Sequence, residues 1–330
     1  MSLAPEDRWI WDPFLVEEGG LWHAFFAQAP RVPGGARGRA ARASIGRAEG
    51  PDLRGWRDLS PLEAPCLAPA EGPAWDDLAL GAGSVVRGPD GLWHMFYTGT
   101  CRAEEGLIPR VGRAVSEDLR AWRRAGAGPC LDLAAAPEGA GYEAFPAGIW
   151  DTQILGDPHV YADPAGGWLM AFSARAAGAA VPAEGGAIGL AESDDLATWR
   201  LLPPMHAGGF ARIGRPQPFE MEGRWRCLIS VRARDWSAPL ARGAEGGPVS
   251  GVHWLDGEGP RGPWRLAPPP LLDGAQPPRQ MGGRIALAAG GPLLIGHAVT
   301  ASGAFAGALT DPTPLALGPG GALRVRGSRE

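Results

Sequence analysis

The chain has 330 residues, 36 acidic and 31 basic, for a formal charge of −5, and it contains neither Lys nor Asn. So mild a charge with no basic block sets nucleic acid aside as the main partner, and the lack of Asn removes any N-glycosylation acceptor. No apolar run reaches the roughly 18 residues that suggest a membrane span, so no membrane partner is expected. Cys66, Cys101, Cys130 and Cys227 are scattered without a CxxC pair, which argues against a disulfide framework or a cysteine metal site. The opening "MSLAPEDRW" lacks a basic start followed by an apolar run, and the expected location is cytoplasmic.

In chain order, "WIWDPFLVEEGGLWHAFF" (9–26) reads as a strand, a Gly turn and a second strand that alternates bulky with smaller residues. "SIGRAEGPDLRGW" (44–56) follows as a third strand, a polar turn and a Trp that begins a fourth. The pair of motifs then returns. "DGLWHMFY" (90–97) comes with "RVGRAVSEDLRAW" (110–122), and "GGWLMAFS" (166–173) with "AIGLAESDDLATW" (187–199). "EGRWRCLI" (222–229) comes with a looser "VHWLDGEGPRGPW" (252–264), and "GGPLLIGH" (290–297) is a weak last copy. In three copies a Gly precedes the Trp by ten positions: Gly46 to Trp56, Gly112 to Trp122, Gly189 to Trp199.

Five copies give about 66 residues per unit, enough for a four-stranded sheet with its turns. Radial repetition of such sheets makes a propeller whose channel is lined by the first strand of every blade. A β-sandwich would not account for five evenly spaced motif pairs. The expected fold is an all-β, five-bladed β-propeller, one domain over 1–330, with blades near 9–60, 75–125, 150–200, 210–265 and 275–325. The stretches 31–43 and 134–156 read as excursions at one end of the channel.

Residues just before each hairpin Gly should enter that channel. They include Asp12 of "WDP", Ser84, Asp157 of "GDP", Arg215 and Gln217 of "GRPQPF", and Gln280 and Arg284. An Asp before a strand can simply cap a turn. Its recurrence at the equivalent place in blade three favours two carboxylates converging on one site. Arg215 and Gln217 would either reach the channel or bond between blades, and Arg284 would clamp an anion or pair with Asp12. His159, beside Asp157, is an acid/base candidate. Trp11, Trp150 and Tyr97 would form an apolar wall for a ring-bearing ligand. Glu143 and Asp151 lie on the longer excursion, where functional residues gather. His23 and His94 repeat with the motif and read as packing residues. With no Gly-rich phosphate loop and no metal triad, neither cofactor nor metal is expected.

"WIWDPFLVEEGGLWHAFFAQAP", "AWDDLALGAGSVVRGPDGLWHMFYTGT", "GDPHVYADPAGGWLMAFSARA" and "GRPQPFEMEGRWRCLIS" resemble the five-bladed propeller glycoside hydrolases. The resemblance is nearest to the family 32 and 68 β-fructosidase-like proteins, more distant to families 43 and 62, and runs over about residues 9 to 300. It implies Asp12 as nucleophile, Asp157 as the acid that holds sugar hydroxyls, and a Glu general acid opening blade four. At the matching position stands Gly214, which cannot donate a proton. Glu220, six residues along a strand, is roughly 20 Å away, and Glu222 sits in the turn. The Arg of the "RDP" pattern is replaced by Gly156, and blade two has "GAGS", with Ala82, in place of an aromatic and a hydroxyl. The expectation is an enzyme of glycoside-hydrolase type acting on a glycosyl or sugar-like small molecule, with Glu143, Asp151 or His159 as substitute acids. Alternatives are a repurposed cyclase, lyase or isomerase of specialised metabolism with Asp12 or Asp157 as general acid or base, and a ligand-binding propeller without chemistry.

Overall fold

The computed structural model describes residues 3–33, 35–137, 139–143, 155–244, 246–267, 272–275 and 277–326. Its strands form five antiparallel sheets in which strand order follows chain order from the inside outwards. Blade one is Arg8–Glu18, Leu21–Pro30, Ser44–Gly50 and Arg57–Asp58. Blade two is Ala79–Arg87, Trp93–Thr100, Arg110–Ser116 and Arg123–Arg124. Blade three is Leu155–Ala162, Trp168–Arg175, Gly186–Ser193 and Arg200–Ala207. Blade four is Gly214–Met221, Arg224–Val231, Ser250–Gly257 and Trp264–Leu266, with Asp273–Ala275 also pairing on its third strand. In blade five, Gln280–Ala288 pairs with Gly291–Val299, which bonds both Phe305–Leu309 and Thr313–Leu317 before Leu323–Val325 closes the sheet.

The first strands of successive blades touch one another, and the ring closes between blades five and one. The molecule is a five-bladed β-propeller. The only α-helix among the described residues, Ala238–Gly243, is one short turn capped by Ser237, and no described helix is long and apolar enough to cross a membrane.

The repeated motifs have plain physical causes. In "DLxxW" the Asp caps its own turn: Asp118 Oδ1 accepts from the N–H groups of Arg120 (2.8 Å) and Ala121 (3.0 Å), and Asp195 Oδ1 from Ala197 (2.8 Å) and Thr198 (2.7 Å). The following Leu119 and Leu196 take left-handed backbone and drop into the core. The Gly ten residues before each Trp makes room for a ring of the neighbouring strand: a Cβ at Gly46 would overlap Phe26, at Gly112 Tyr97, and at Gly189 Phe172.

Hydrophobic cores lie between blades, where the face of one sheet packs on the next. Phe14, Phe25, Val85 and Met95 join blades one and two; Phe96, Val111, Met170 and Phe172 join two and three. Leu169, Ile188, Cys227 and Ile229 join three and four, and Phe219, Leu228, Ile285 and Leu294 join four and five. The joint between five and one is built from Ala286, Ile295 and Leu309 of blade five, Ile10 and Phe26 of blade one, and the edge-to-face rings of Trp11 and Phe305. There the Leu309 N–H also donates to the Leu3 carbonyl (2.9 Å), and Leu3 packs beside Ile10 and Phe26.

Candidate functional site

All five inner strands carry a register shift at the same level of the axis. In four of them it follows a left-handed residue: Asp12 (φ 54°), Asp157 (φ 53°), Arg215 (φ 60°) and Gly282 (φ 64°). The blade-two shift falls at Ala82, between Gly81 and Gly83. A bulge bends the strand and re-aims the side chain beside it. Asp tolerates the left-handed region because its short side chain bonds locally. For Arg215 the same backbone costs about 1–3 kcal/mol. Its N–H is turned onto Asp157 Oδ2 (3.1 Å) and Ser173 Oγ (3.2 Å), which offsets that strain.

The bulges bring Asp12 and Asp157 to one place. Arg215 Nη1 lies 3.9 Å from Asp12 Oδ2 and 3.9 Å from Asp157 Oδ1, while its Nη2 donates to the Pro13 carbonyl (2.6 Å). Asp157 Oδ2 also accepts from Ser173 Oγ (2.9 Å). Asp12 Oδ1 stands 3.0 Å from His297 Nδ1. Burial alone would push the Asp12 carboxyl up, but the charges of Arg215, His297 and Arg39 outweigh it and hold Asp12 well below the usual carboxylate range. Asp12 is therefore an ionised carboxylate at every physiological pH, suited to attack or charge stabilisation and not to proton donation.

These groups line an axial cavity of about 770 Å³, a size suited to a small molecule. Trp11, Asp12, Asp157, Gly214 and Arg215 are on its wall, with apolar Leu78, Leu80, Met281, Val299 and Phe305. A Cβ at Gly214 would meet only Ser230 O at 3.5 Å and Asp157 Oδ2 at 3.7 Å, ordinary contacts that leave its direction open.

The other anticipated residues are not among the described residues lining this cavity. Ser84 Oγ accepts from the Val160 N–H (2.9 Å), tying blade two to blade three. The Tyr97 ring is buried against Trp75, with its hydroxyl donating to Asp76 Oδ2 (2.9 Å). The Gln217 amide bonds both the N–H (2.8 Å) and the C=O (3.0 Å) of Ile285, joining blades four and five. Arg284 Nη1 donates to the carbonyls of Arg215 (2.8 Å) and Pro216 (3.0 Å). Burial, then the charges of Arg284 and Arg215, push the half-buried His159 far below the ordinary histidine value, so its ring is neutral. Glu143 is held by Arg175 Nε (3.0 Å). Trp150 and Asp151 lie outside the described residues.

Sequence reasoning passed over His297, Arg39, Arg212, Arg232, Glu105 and Asp235, all on the cavity wall. His297 ends the weak fifth copy "GGPLLIGH", and only that symmetry pointed to it. Arg39 belongs to the 31–43 excursion. Among the described residues, no group of three or more His, Cys, Asp or Glu is placed to hold a metal ion.

The five-bladed ring is the fold of propeller glycoside hydrolases. Among solved structures, the chain is similar to an inulosucrase from Halalkalicoccus jeotgali bound to kestose (TM-score 0.73, 21% identity, 99% of this chain and 91% of that one). It is also similar to the β-fructofuranosidase catalytic domain of Microbacterium saccharophilum K-1 (0.72, 18%, 98% and 82%). A thermostable family-43 glycoside hydrolase follows (0.67, 15%, 99% and 96%). No protein-family model matches the sequence, and no curated protein is detectably similar to it.

Proposed function

We propose that the chain is an enzyme of glycoside-hydrolase type that acts on a glycosyl or sugar-like small molecule in the axial cavity. Asp12 meets the reacting carbon as an ionised carboxylate, and Asp157 accepts from substrate hydroxyls. The observation that carries this reading is the convergence of two bulge carboxylates, from blades one and three, on the same Arg215 Nη1 at 3.9 Å each. One carboxylate kept ionised by neighbouring cations is what attack on an electron-poor carbon requires.

The empty place at Gly214 limits the substrate. General-acid assistance is worth about 10²- to 10⁴-fold, so without it the leaving group must depart unprotonated. Turnover should then be confined to activated compounds. A 4-nitrophenyl arabinofuranoside or fructofuranoside should react where the methyl glycoside does not, and Asp12→Asn should lower that rate at least about 10³-fold. The backbone at Gly214 is outside the left-handed region and its Cβ direction is open, so Gly214→Glu should fold and raise turnover of the methyl glycoside. No turnover of any furanoside, by either the natural chain or the Gly214→Glu variant, would reject the reading.

A second reading is a non-hydrolytic cyclase, lyase or isomerase in the same cavity. The apolar wall of Leu78, Leu80, Met281, Val299 and Phe305 favours it. Asp12-dependent conversion of a hydrophobic ring compound without release of a sugar would establish it.

A further inference from the structure

Charge in the channel is balanced at depth and unbalanced at the rim. Asp12 and Asp157 face Arg215, with Arg284 buried beneath. Nearer solvent the cavity wall also carries Arg39, on the 31–43 excursion, and Arg232, just past the second strand of blade four. Neither is in an ion pair among the described residues. The remaining wall carboxylates are Glu105, on an exposed loop, and Asp235, whose near cation is Arg234 at 4.0 Å.

Arg39 is preorganised. Its guanidinium lies over the rings of Phe305 (3.8 Å) and Trp11 (5.2 Å), its Nη1 donates to the Ala36 carbonyl (3.3 Å), and its Nε is buried without a partner. A guanidinium clamped by its faces keeps its N–H edge for something else. Arg232 follows directly on the second strand of blade four, two residues after Ser230, which pairs in register with Gly214. Arg215, deeper in the cavity, faces Asp12 and Asp157 with Nη1, which leaves the rim pair as the cations without a carboxylate partner among the described residues. Burial depresses both rim guanidiniums, with Arg232 adding to it for Arg39 and Arg212 and Arg234 for Arg232, and the carboxylates of Asp12 and Asp235 offset this only in part.

We propose that the cavity takes an anionic sugar or sugar-like molecule, bearing a carboxylate or a phosphate, and that Arg39 and Arg232 hold the anionic group. This deepens the reading of the site given above and rests on it. Planar guanidiniums suit either oxyanion, and two of them converging from different blades confer selectivity over a neutral sugar.

Titration calorimetry on the whole chain tests it with fructose 6-phosphate, glucuronate, and the neutral parents fructose and glucose. Inorganic phosphate and acetate serve as bare anions. One charged sugar should bind at least tenfold more tightly than its neutral parent, and whichever does so identifies phosphate or carboxylate as the group. Arg232→Gln and Arg39→Gln should each cut that preference about tenfold, and Arg232→Gln, at an exposed position, should leave neutral-sugar binding unchanged. Equal binding of charged and neutral sugars, a preference that survives both substitutions, or no binding of any probe would overturn the proposal. If neutral furanosides are turned over through Asp12 without any anion preference, the subsite fails and the reaction stands. If the preference is present but Asp12→Asn changes no rate, the reaction fails and the subsite stands.

Discussion

His253 sits at the third strand of blade four, 5% exposed, with its ring edge-on to Phe210 and Trp236. Burial pushes its pKa down to about 3, against a partial rise from a bond to the Val249 backbone. A histidine depressed on folding is neutral in both states at high pH, so its penalty is absent above the unfolded value of about 6.5. Between pH 6.5 and 3 the unfolded chain takes up a proton that the folded one refuses, and stability falls. At pH 5 the loss from this residue should be about 2 kcal/mol relative to pH 8. His253→Phe keeps the aromatic packing, and Val249 O still accepts from Trp236 Nε1 (3.0 Å). The gap between urea midpoints at the two pH values should therefore narrow in that variant, with the depressed His159 still contributing to what remains, whereas an unchanged gap would place the titrating group elsewhere.

Among the elements, the bulge at the start of each inner strand turns repeated sequence into a site. The recurrence of "DP" was legible because Asp and Pro are the residues such a bend selects, and it led to Asp12 and Asp157. "RP" at Arg215-Pro216 and "GG" at Gly282-Gly283 are the same bend with other side chains, and nothing in local pattern separates them from an ordinary strand. Gly282 is required for a reason that only the assembled ring discloses. A Cβ there would overlap Asp12 Oδ1 and come to 3.0 Å from His297 Nδ1. Gly282→Ala should separate the Asp12–His297 pair, cost about 1–3 kcal/mol in a backbone at φ 64°, and lower Asp12-dependent turnover at least tenfold. Steady-state rates with thermal unfolding on the same preparation would check both parts. The rim arginines escaped sequence reasoning for a related cause: Arg39 opens a four-residue 3-10 helix on the excursion and Arg232 lies just past a strand end, both too short of regular pattern to say which way a side chain points.

For the whole molecule, the blade count and the all-β class followed from spacing alone, because each copy of the motif is one sheet. What spacing could not assign was the division of polar side chains between ligand and neighbouring blade. Ser84, Gln217 and Arg284 all sit on inner strands, and their hydrogen bonds go to an adjacent inner strand, forward for Ser84 and Gln217 and backward for Arg284. Gln217 satisfies both backbone groups of Ile285, which no other strand can reach from the axial side. Gln217→Ala should thus destabilise the fold by about 2–4 kcal/mol, the cost of two buried unpaired groups. Denaturant unfolding would show it, and Gln217→Glu, which keeps the acceptor and loses the donor, should fall between.

The packing between blades five and one acquires a second meaning from its position. Asp12 and Trp11 stand on one flank of that joint, and His297 and Phe305 on the other, with the Trp11 and Phe305 rings edge to face at 6.1 Å. The seam where the first and last blades meet is thus also the wall that tunes Asp12. A substitution that disturbs closure of the ring should reach the reactive carboxylate directly.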